Sequence, residues 1–437
     1  MCRLCANTPL FSDRLRSTRG GIFIRAVGFT TNDRQGLHKA KNVARRDDRL
    51  WALWGVVETT MLSSLPPEIL DLIVDHLRDN PSTLKTCCLV SKSWIPRTRR
   101  HLFTHVEFKS VECSPHLWMK TFPDPSNSPA CYTRNLEFTG PDTITAATTC
   151  AFAWICHFSN IVELRMRDVS LGNSIPIPLV QLHGLSPTLK FLHLYHLSIP
   201  LSELLALICS FPLLEDIWLH SVITTGDADG SDIPLTSPRL TGTVSVINDI
   251  RSVVRGLLRL PHGPNFSGIA AVCRGESAEF VNDLVLRCSD TVESLVVAYY
   301  TQRTFPWGFR VYCCLLPLIA PPSPLVLSKA TKLHDIEFRC IGQDIRWIIT
   351  TLRSAETINL KQIVIVISPY STFDNPVGEM TRQEWQELDH LLVRLWTSSS
   401  VRPVIICEER GGGNNWGEVV LSLLPQLAGK RAVEVGR

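Results

Sequence analysis

IVELRM (Ile161–Met166), LKFLHL (Leu189–Leu194) and LEDIWL (Leu214–Leu219) share one pattern: apolar, two variable positions, apolar, one variable position, apolar. The closing apolar-x-apolar alternation is that of a short β-strand with one buried face. Upstream, TRNLEF (Thr133–Phe138) fits the same frame, and weaker copies begin at Leu240, Phe266, Val292, Leu333 and Leu360. Successive first positions are 28, 28, 25, 26, 26, 26, 41 and 27 residues apart by subtraction. The step of 41 marks an insertion around residues 299–327. Helical stretches lie between strands, as in LSELLALI (Leu201–Ile208) before Phe211-Pro212. A unit of one strand and one helix cannot bury its apolar face alone, so such units stack side by side with parallel strands. The registers at Leu240 and Phe266 are the weakest. An ordinary α/β domain with chance spacing is the competing reading, disfavoured by the first four copies and not excluded by the later ones.

A period in the twenties with this strand signature resembles the leucine-rich repeats. The expected fold class is α/β, with a parallel-stranded solenoid over residues 131–380 and an α/β cap over 381–437. In the cap, Thr381–Trp396 is an amphipathic helix carrying Trp385, Leu388, Leu391, Leu392 and Leu395 on one side. Val404-Ile405-Ile406 reads as a strand and Val419–Leu427 as a last helix. With Leu164 and Met166 turned inward, alternation turns Glu163, Arg165 and Arg167 to the other face. The same register exposes His193 and Tyr195, then Asp216, Trp218 and His220, and later Asp335, Glu337 and Arg339. Aromatic side chains beside charges are typical of binding hot spots. Arg165, Arg167, His193, Tyr195, Trp218 and His220 are therefore the candidate substrate-binding residues. Partial cover by loops is an equally weighted reading for any one of them.

Ahead of the repeats stands LPPEILDLIVDHLRDNPSTLKTCCLVSKSWIPRTRRHLF, Leu65–Phe103. Pro66 and Pro67 suit a first helical turn, and Glu68 and Asp71 suit its positive dipole end. Ser63 and Ser64 are candidate caps. Ile69, Leu70, Ile73 and Leu77 form one apolar face, and Asp79–Ser82 is a turn by composition. A second helical run begins near Thr83, and Pro96 belongs in the first turn of a third helix. Three core helices of a larger α-domain would read the same way. The opening Leu65-Pro66-Pro67-Glu68-Ile69-Leu70 and the closing Val90-Ser91-Lys92-Ser93-Trp94 together resemble an F-box. Cys87-Cys88-Leu89 and Arg99–Phe103 resemble the version common in mushroom-forming fungi. The F-box is assigned to residues 61–108, with His105–Phe108 at its end reading as a first strand, and 109–130 as a connector.

Residues 1–60 hold 11 Lys/Arg against 5 Asp/Glu, a net +6; against the whole chain's +3 this leaves −3 on the rest. A weakly acidic body does not ask for nucleic acid as partner. The basic segment reads as disordered, or as the product of a mis-assigned upstream exon with Met61 as the true start. A mitochondrial presequence is weakened by Asp13, Asp33, Asp47 and Asp48. An odd count of 15 cysteines without regular spacing indicates reduced thiols in cytoplasm or nucleus. Cys2 and Cys5 form a lone CxxC with no second pair, so no metal site is expected. The apolar run Val311–Leu327 is broken by prolines, so no membrane segment is expected.

No catalytic motif is present: no Gly-x-Ser-x-Gly, no His-Glu-x-x-His and no P-loop. The expectation is a non-enzymatic protein without cofactor. The F-box resemblance implies a substrate-recognition subunit of an SCF-type cullin–RING ubiquitin ligase, acting in ubiquitin-dependent protein degradation. It implies an adaptor-binding face of Leu65, Pro66, Ile69, Leu70, Val90 and Trp94, a cullin reached through the adaptor, and a protein substrate on the repeats. The alternative is a scaffold that uses the F-box outside a ligase.

Overall fold

The computed structural model describes residues 66–109, 115–140, 155, 157–168, 182, 185, 187–225, 237–247, 250–273, 277–299, 323–340, 345–355, 358–367, 382–399, 401–408, 416–430 and 433–436. The described chain divides into two compact units, one ending at Val162 and the other beginning at Glu163. The basic segment 1–60, Leu65 and the expected caps Ser63 and Ser64 lie outside the described residues.

The first unit opens with three helices, α1 (Pro67–His76), α2 (Pro81–Val90) and α3 (Ile95–Leu102). Proline sits in the first turn of each, where its missing N–H leaves no intrahelical bond unmade. Asn80 caps α2, its Oδ1 accepting from the Thr83 amide at 3.1 Å. The second helix thus starts at Pro81, two residues before the sequence expectation, because the turn residue Asn80 is itself the cap. Ser91 accepts from the Ser93 amide at the head of a single tight turn that leads into α3.

A small core of Val74, Leu84 and Leu102 joins the three helices, with Leu77, Cys88, Trp94 and Phe103 packed against it. An ionic cluster lies beside it: Asp75 accepts from Arg97 Nε at 2.6 Å and from Arg97 Nη2, and its Oδ1 lies 2.7 Å from His101 Nε2. Strand β1 (His105–Phe108) follows, then α4 (Pro115–Thr121) and β2 (Asn135–Thr139). β1 and β2 pair in parallel, with Val106 opposite Leu136 and Glu107 opposite Glu137. Trp118 of α4 stands among Phe103, Phe108, Phe122 and Phe158, with ring centroids 5.1–6.2 Å away. Its indole N–H donates to Ser128 Oγ at 3.1 Å, which satisfies the polar end of a ring in an apolar setting.

The second unit is built on parallel strands β3 (Glu163–Arg167), β4 (Phe191–Tyr195), β6 (Asp216–His220), β8 (Thr243–Ile247), β9 (Gly268–Cys273), β10 (Ser294–Tyr299), β11 (Asp335–Cys340), β12 (Gln362–Ile367), β13 (Arg402–Glu408) and β14 (Val433–Gly436). They lie side by side in chain order. Short strands β5 (Ser198–Pro200) and β7 (Ile223–Thr225) pair in a separate parallel ladder. Helices follow several strands: α5 (Leu201–Cys209), α6 (Ile250–Leu258), α7 (Ser277–Arg287) and α8 (Ile345–Ser354). The sequential parallel order is the ladder that stacked strand–helix units demand.

The repeat frame is visible in burial. Within this unit Leu189, Leu214, Leu240, Phe266, Val292 and Leu333, each the first apolar position of a copy, are fully buried. So are the strand pairs Leu164 and Met166, Leu192 and Leu194, and Ile217 with Leu219. The copy at Phe266 holds its register: strand residues 269–272 are all buried, and the ladder sets Ile269 opposite Leu295 and Ala271 opposite Val297. The copy at Leu240 does not. Its strand buries Val244 and Val246, one residue later than the frame requires, and Val244 pairs with Ile217. Gly242 accommodates the extra residue: a Cβ there would collide with Asp216 Oδ1, the oxygen that accepts the Thr243 N–H.

After β3, β4 and β6 the chain turns on Asp168, His196 and Ser221, all in the left-handed region with φ 51–54°. Their amides donate to the next strand in line, Asp168 to Tyr195, His196 to His220 and Ser221 to Ile247. Each ladder is thereby extended by one bond past the strand end.

The C-terminal segment carries α9 (Arg382–Ser399), α10 (Trp416–Leu423) and α11 (Pro425–Gly429). Trp385, Leu388, Leu391, Leu392 and Leu395 form the buried face of α9, as the spacing predicts. The single last helix expected over Val419–Leu427 is instead two, broken at Leu424-Pro425. Buried Asp389 of α9 accepts from the Gln426 and Leu427 amides, each at 3.0 Å, and so caps the second one. Among the described residues no helix is long and apolar enough to cross a membrane.

Candidate functional site

The polar face of β3, β4, β6 and β8 gathers all six side chains expected to bind a substrate. The register places Arg165, His193, Trp218 and Ser245 in one row, and Arg167, Tyr195, His220 and Ile247 in the next. Trp218 is the hub. It stacks on His193 at 5.1 Å between centroids and on His220 at 5.7 Å. Tyr195 meets His220 edge-on at 5.1 Å, and the Arg167 guanidinium lies 5.1 Å from the Tyr195 ring centroid, a cation–π contact.

Polar contacts fix the rings. His193 Nδ1 lies 3.3 Å from the Tyr195 hydroxyl and its Nε2 lies 3.4 Å from Glu163 Oε1. That carboxylate oxygen also accepts from Arg165 Nε at 2.5 Å. His220 Nε2 lies 3.1 Å from Ser245 Oγ. Burial, with a smaller contribution from the nearby imidazole of His196, pushes His220 down to about 4, so it is neutral at physiological pH.

Exposure divides the expected residues. Arg167 is exposed, while Tyr195, Trp218 and His220 are half-buried. His193 is buried under its neighbours and Arg165 is tied to Glu163, so these two position the surface from beneath. Further along, Arg339 Nε donates to Glu337 Oε1 at 2.6 Å, repeating the arginine–glutamate pairing at the same spacing. Beyond it the face becomes apolar: Val366, Val404 and Ile406 form a buried cluster with Val364.

On the three-helix segment, Pro66 and Ile69 are exposed and Leu70 is half-buried. Trp94 is half-buried against the helical core, and the Val90 side chain lies outside the described residues. Two residues outside the expected adaptor-binding set are the most exposed apolar side chains here. Leu72 is 64% exposed on α1 and Leu89 is 88% exposed on α2. Ile69, Leu72 and Ile73 follow one another at helical spacing on one open face of α1, which buries Val74 instead. Periodicity alone could not separate this face from the core, because both are apolar.

No family model matches this chain, and no curated protein matches it. Among solved structures, the leucine-rich repeat-containing protein LegL7 from Legionella pneumophila aligns over 75% of this chain and 98% of its own length. Identity is 13% and the TM-score is 0.34. The repeat architecture therefore rests on the strand ladder and the buried frame described above.

Proposed function

We propose that this chain is the non-catalytic substrate receptor of an SCF-type cullin–RING ubiquitin ligase. In this reading α1–α3 are an F-box that docks the adaptor subunit, and the β3–β8 face holds a protein substrate. The observation that carries it is the open apolar face of Ile69, Leu72 and Ile73, together with Leu89. A segment with so small a core has few apolar side chains to spare, and leaving these in water favours a partner that covers them. The receptor does no chemistry of its own; it holds the substrate close to the transfer machinery, so that ubiquitin transfer becomes effectively intramolecular.

The test is affinity purification of the full chain beside Leu72→Asp and Leu89→Asp. Both positions are exposed, so the fold is retained, and capture of adaptor and cullin should drop at least tenfold in each variant. Undiminished capture in both variants would overturn the docking face. Adaptor without cullin in the wild-type capture would instead identify a scaffold outside a ligase.

A further inference from the structure

His105, Glu107 and Glu137 stand together at the β1–β2 pair of the first unit. One imidazole nitrogen and one oxygen from each carboxylate all lie within 4.8 Å of one another. His105 and Glu107 are two apart on β1 and share its face, and Glu137 is directly opposite Glu107 on β2. Like charges directly opposite in a sheet repel. Here both carboxylates are also buried.

Glu107 is the informative member. Its side chain is only 4% exposed. Oε1 is occupied: it lies 3.0 Å from Lys109 Nζ and accepts from Thr139 Oγ1 at 3.3 Å. Oε2 is buried and has no hydrogen-bond partner. Leaving a charged oxygen in that state is costly. Within the cluster His105 Nε2 is 3.8 Å from Glu137 Oε2, and Lys109 is engaged on the other Glu107 oxygen.

We propose that these three side chains bind one divalent cation of the manganese–zinc class. His105 Nε2, Glu107 Oε2 and a Glu137 carboxylate oxygen would be the ligands, with water completing the shell. One imidazole and two carboxylates are a donor set suited to such ions. Metal–ligand distances of about 2.0–2.2 Å put tetrahedral ligands about 3.4 Å apart. The observed separations, 3.8 Å between His105 Nε2 and Glu137 Oε2 and within 4.8 Å for the set, close with side-chain rotations. The ion would neutralise the opposed carboxylates, satisfy the orphaned oxygen and clamp β1 to β2. None of this is read from local sequence, because Glu137 reaches the other two only through strand pairing.

The experiment uses the full chain, stripped with chelator and titrated with Mn2+ alone, with free Mn2+ followed by electron paramagnetic resonance. Manganese is chosen because thiolates, which the 15 cysteines supply, hold it poorly. The expected result is uptake of about one ion per chain, with affinity at least tenfold weaker in Glu107→Gln and His105→Ala. Lys109→Met removes the competing cation and should tighten binding several-fold, which covers the case in which a ligand variant fails to fold. No uptake by the wild-type chain, uptake unchanged in folded Glu107→Gln, or unchanged or weaker binding in Lys109→Met would each overturn the site.

Discussion

His220 makes the stability of the repeat unit depend on pH in a specific window. The imidazole is packed between Trp218 and Tyr195 and lies against Ser245 Oγ, and the nearby His196 further opposes its protonation. As pH falls through about 6.5, an unfolded histidine takes up its proton. The folded one resists until about 4. Between those values the unfolded chain binds more protons, so stability declines as pH falls, and below the lower value this group contributes no further loss. From pH 7 to 4.5 the loss from this residue is about 2.5 kcal/mol. The assay is urea unfolding of the full chain across that range, followed by tryptophan fluorescence, beside His220→Gln, which keeps a polar partner for Ser245. The difference between the two proteins isolates the one imidazole from other titrating groups. It should shrink by about 2.5 kcal/mol on acidification. A difference that is flat with pH, or an NMR titration placing His220 at 6.5 or above, would refute the assignment of a neutral, half-buried imidazole.

Three further outcomes follow from the packing. Asp75 is held well below the usual carboxylate range, first by its hydrogen bonds from Arg97, with His101 adding to the effect. Because its side chain is a third exposed, solvent screening limits Asp75→Asn to a loss of about 1 kcal/mol, read as faster hydrogen exchange in α1 and α3. That stabilisation is complete above about pH 4 and fades as pH falls toward the depressed folded value, so wild type and variant should converge in acid. Leu194→Ala removes a fully buried strand residue and should cost about 2–5 kcal/mol in urea unfolding. Gly242→Ala drives a Cβ into Asp216 Oδ1 and to 3.0 Å from the Glu215 carbonyl carbon. It should cost about 1–3 kcal/mol and accelerate exchange of the Thr243 amide.

The repeat was legible because its signal is doubly periodic, in residue alternation and in chain spacing, and each copy corroborates the next. Phe266 and Ile269 fit the frame although the copy looks weak, since alanine at 271 still buries well. Leu240 misled by one residue because the compensation lies in another strand: glycine at 242 leaves room for the Asp216 carboxylate. The strand face was legible by alternation, which placed Trp218 and Tyr195 on the correct side. It could not tell that His193 is buried while Trp218 stays half-exposed, because that depends on stacking between strands. The same limit hid Asp389, whose role is to cap a helix 37 residues away in the chain. It also hid the open side of α1. Ile69 and Val74 are alike in hydropathy, and only the position of α2 and α3 decides which is covered.

The row from Arg165 through His193, Trp218 and Ser245 to Ala270 has one further property, which follows from its spacing. Neighbouring strands stand about 4.8 Å apart, whereas an extended peptide advances about 3.3 Å per residue. A polypeptide laid across the strands is thus measured by a ruler whose divisions do not match its own. Its side chains alternate sides, and the same side returns into step after about six residues, which is four strand spacings, the distance from Arg165 to Ala270. The strand spacing would therefore set a reading frame for an extended ligand laid across this sheet: side chains about six residues apart would meet equivalent positions, and those at other intervals would fall between the marks.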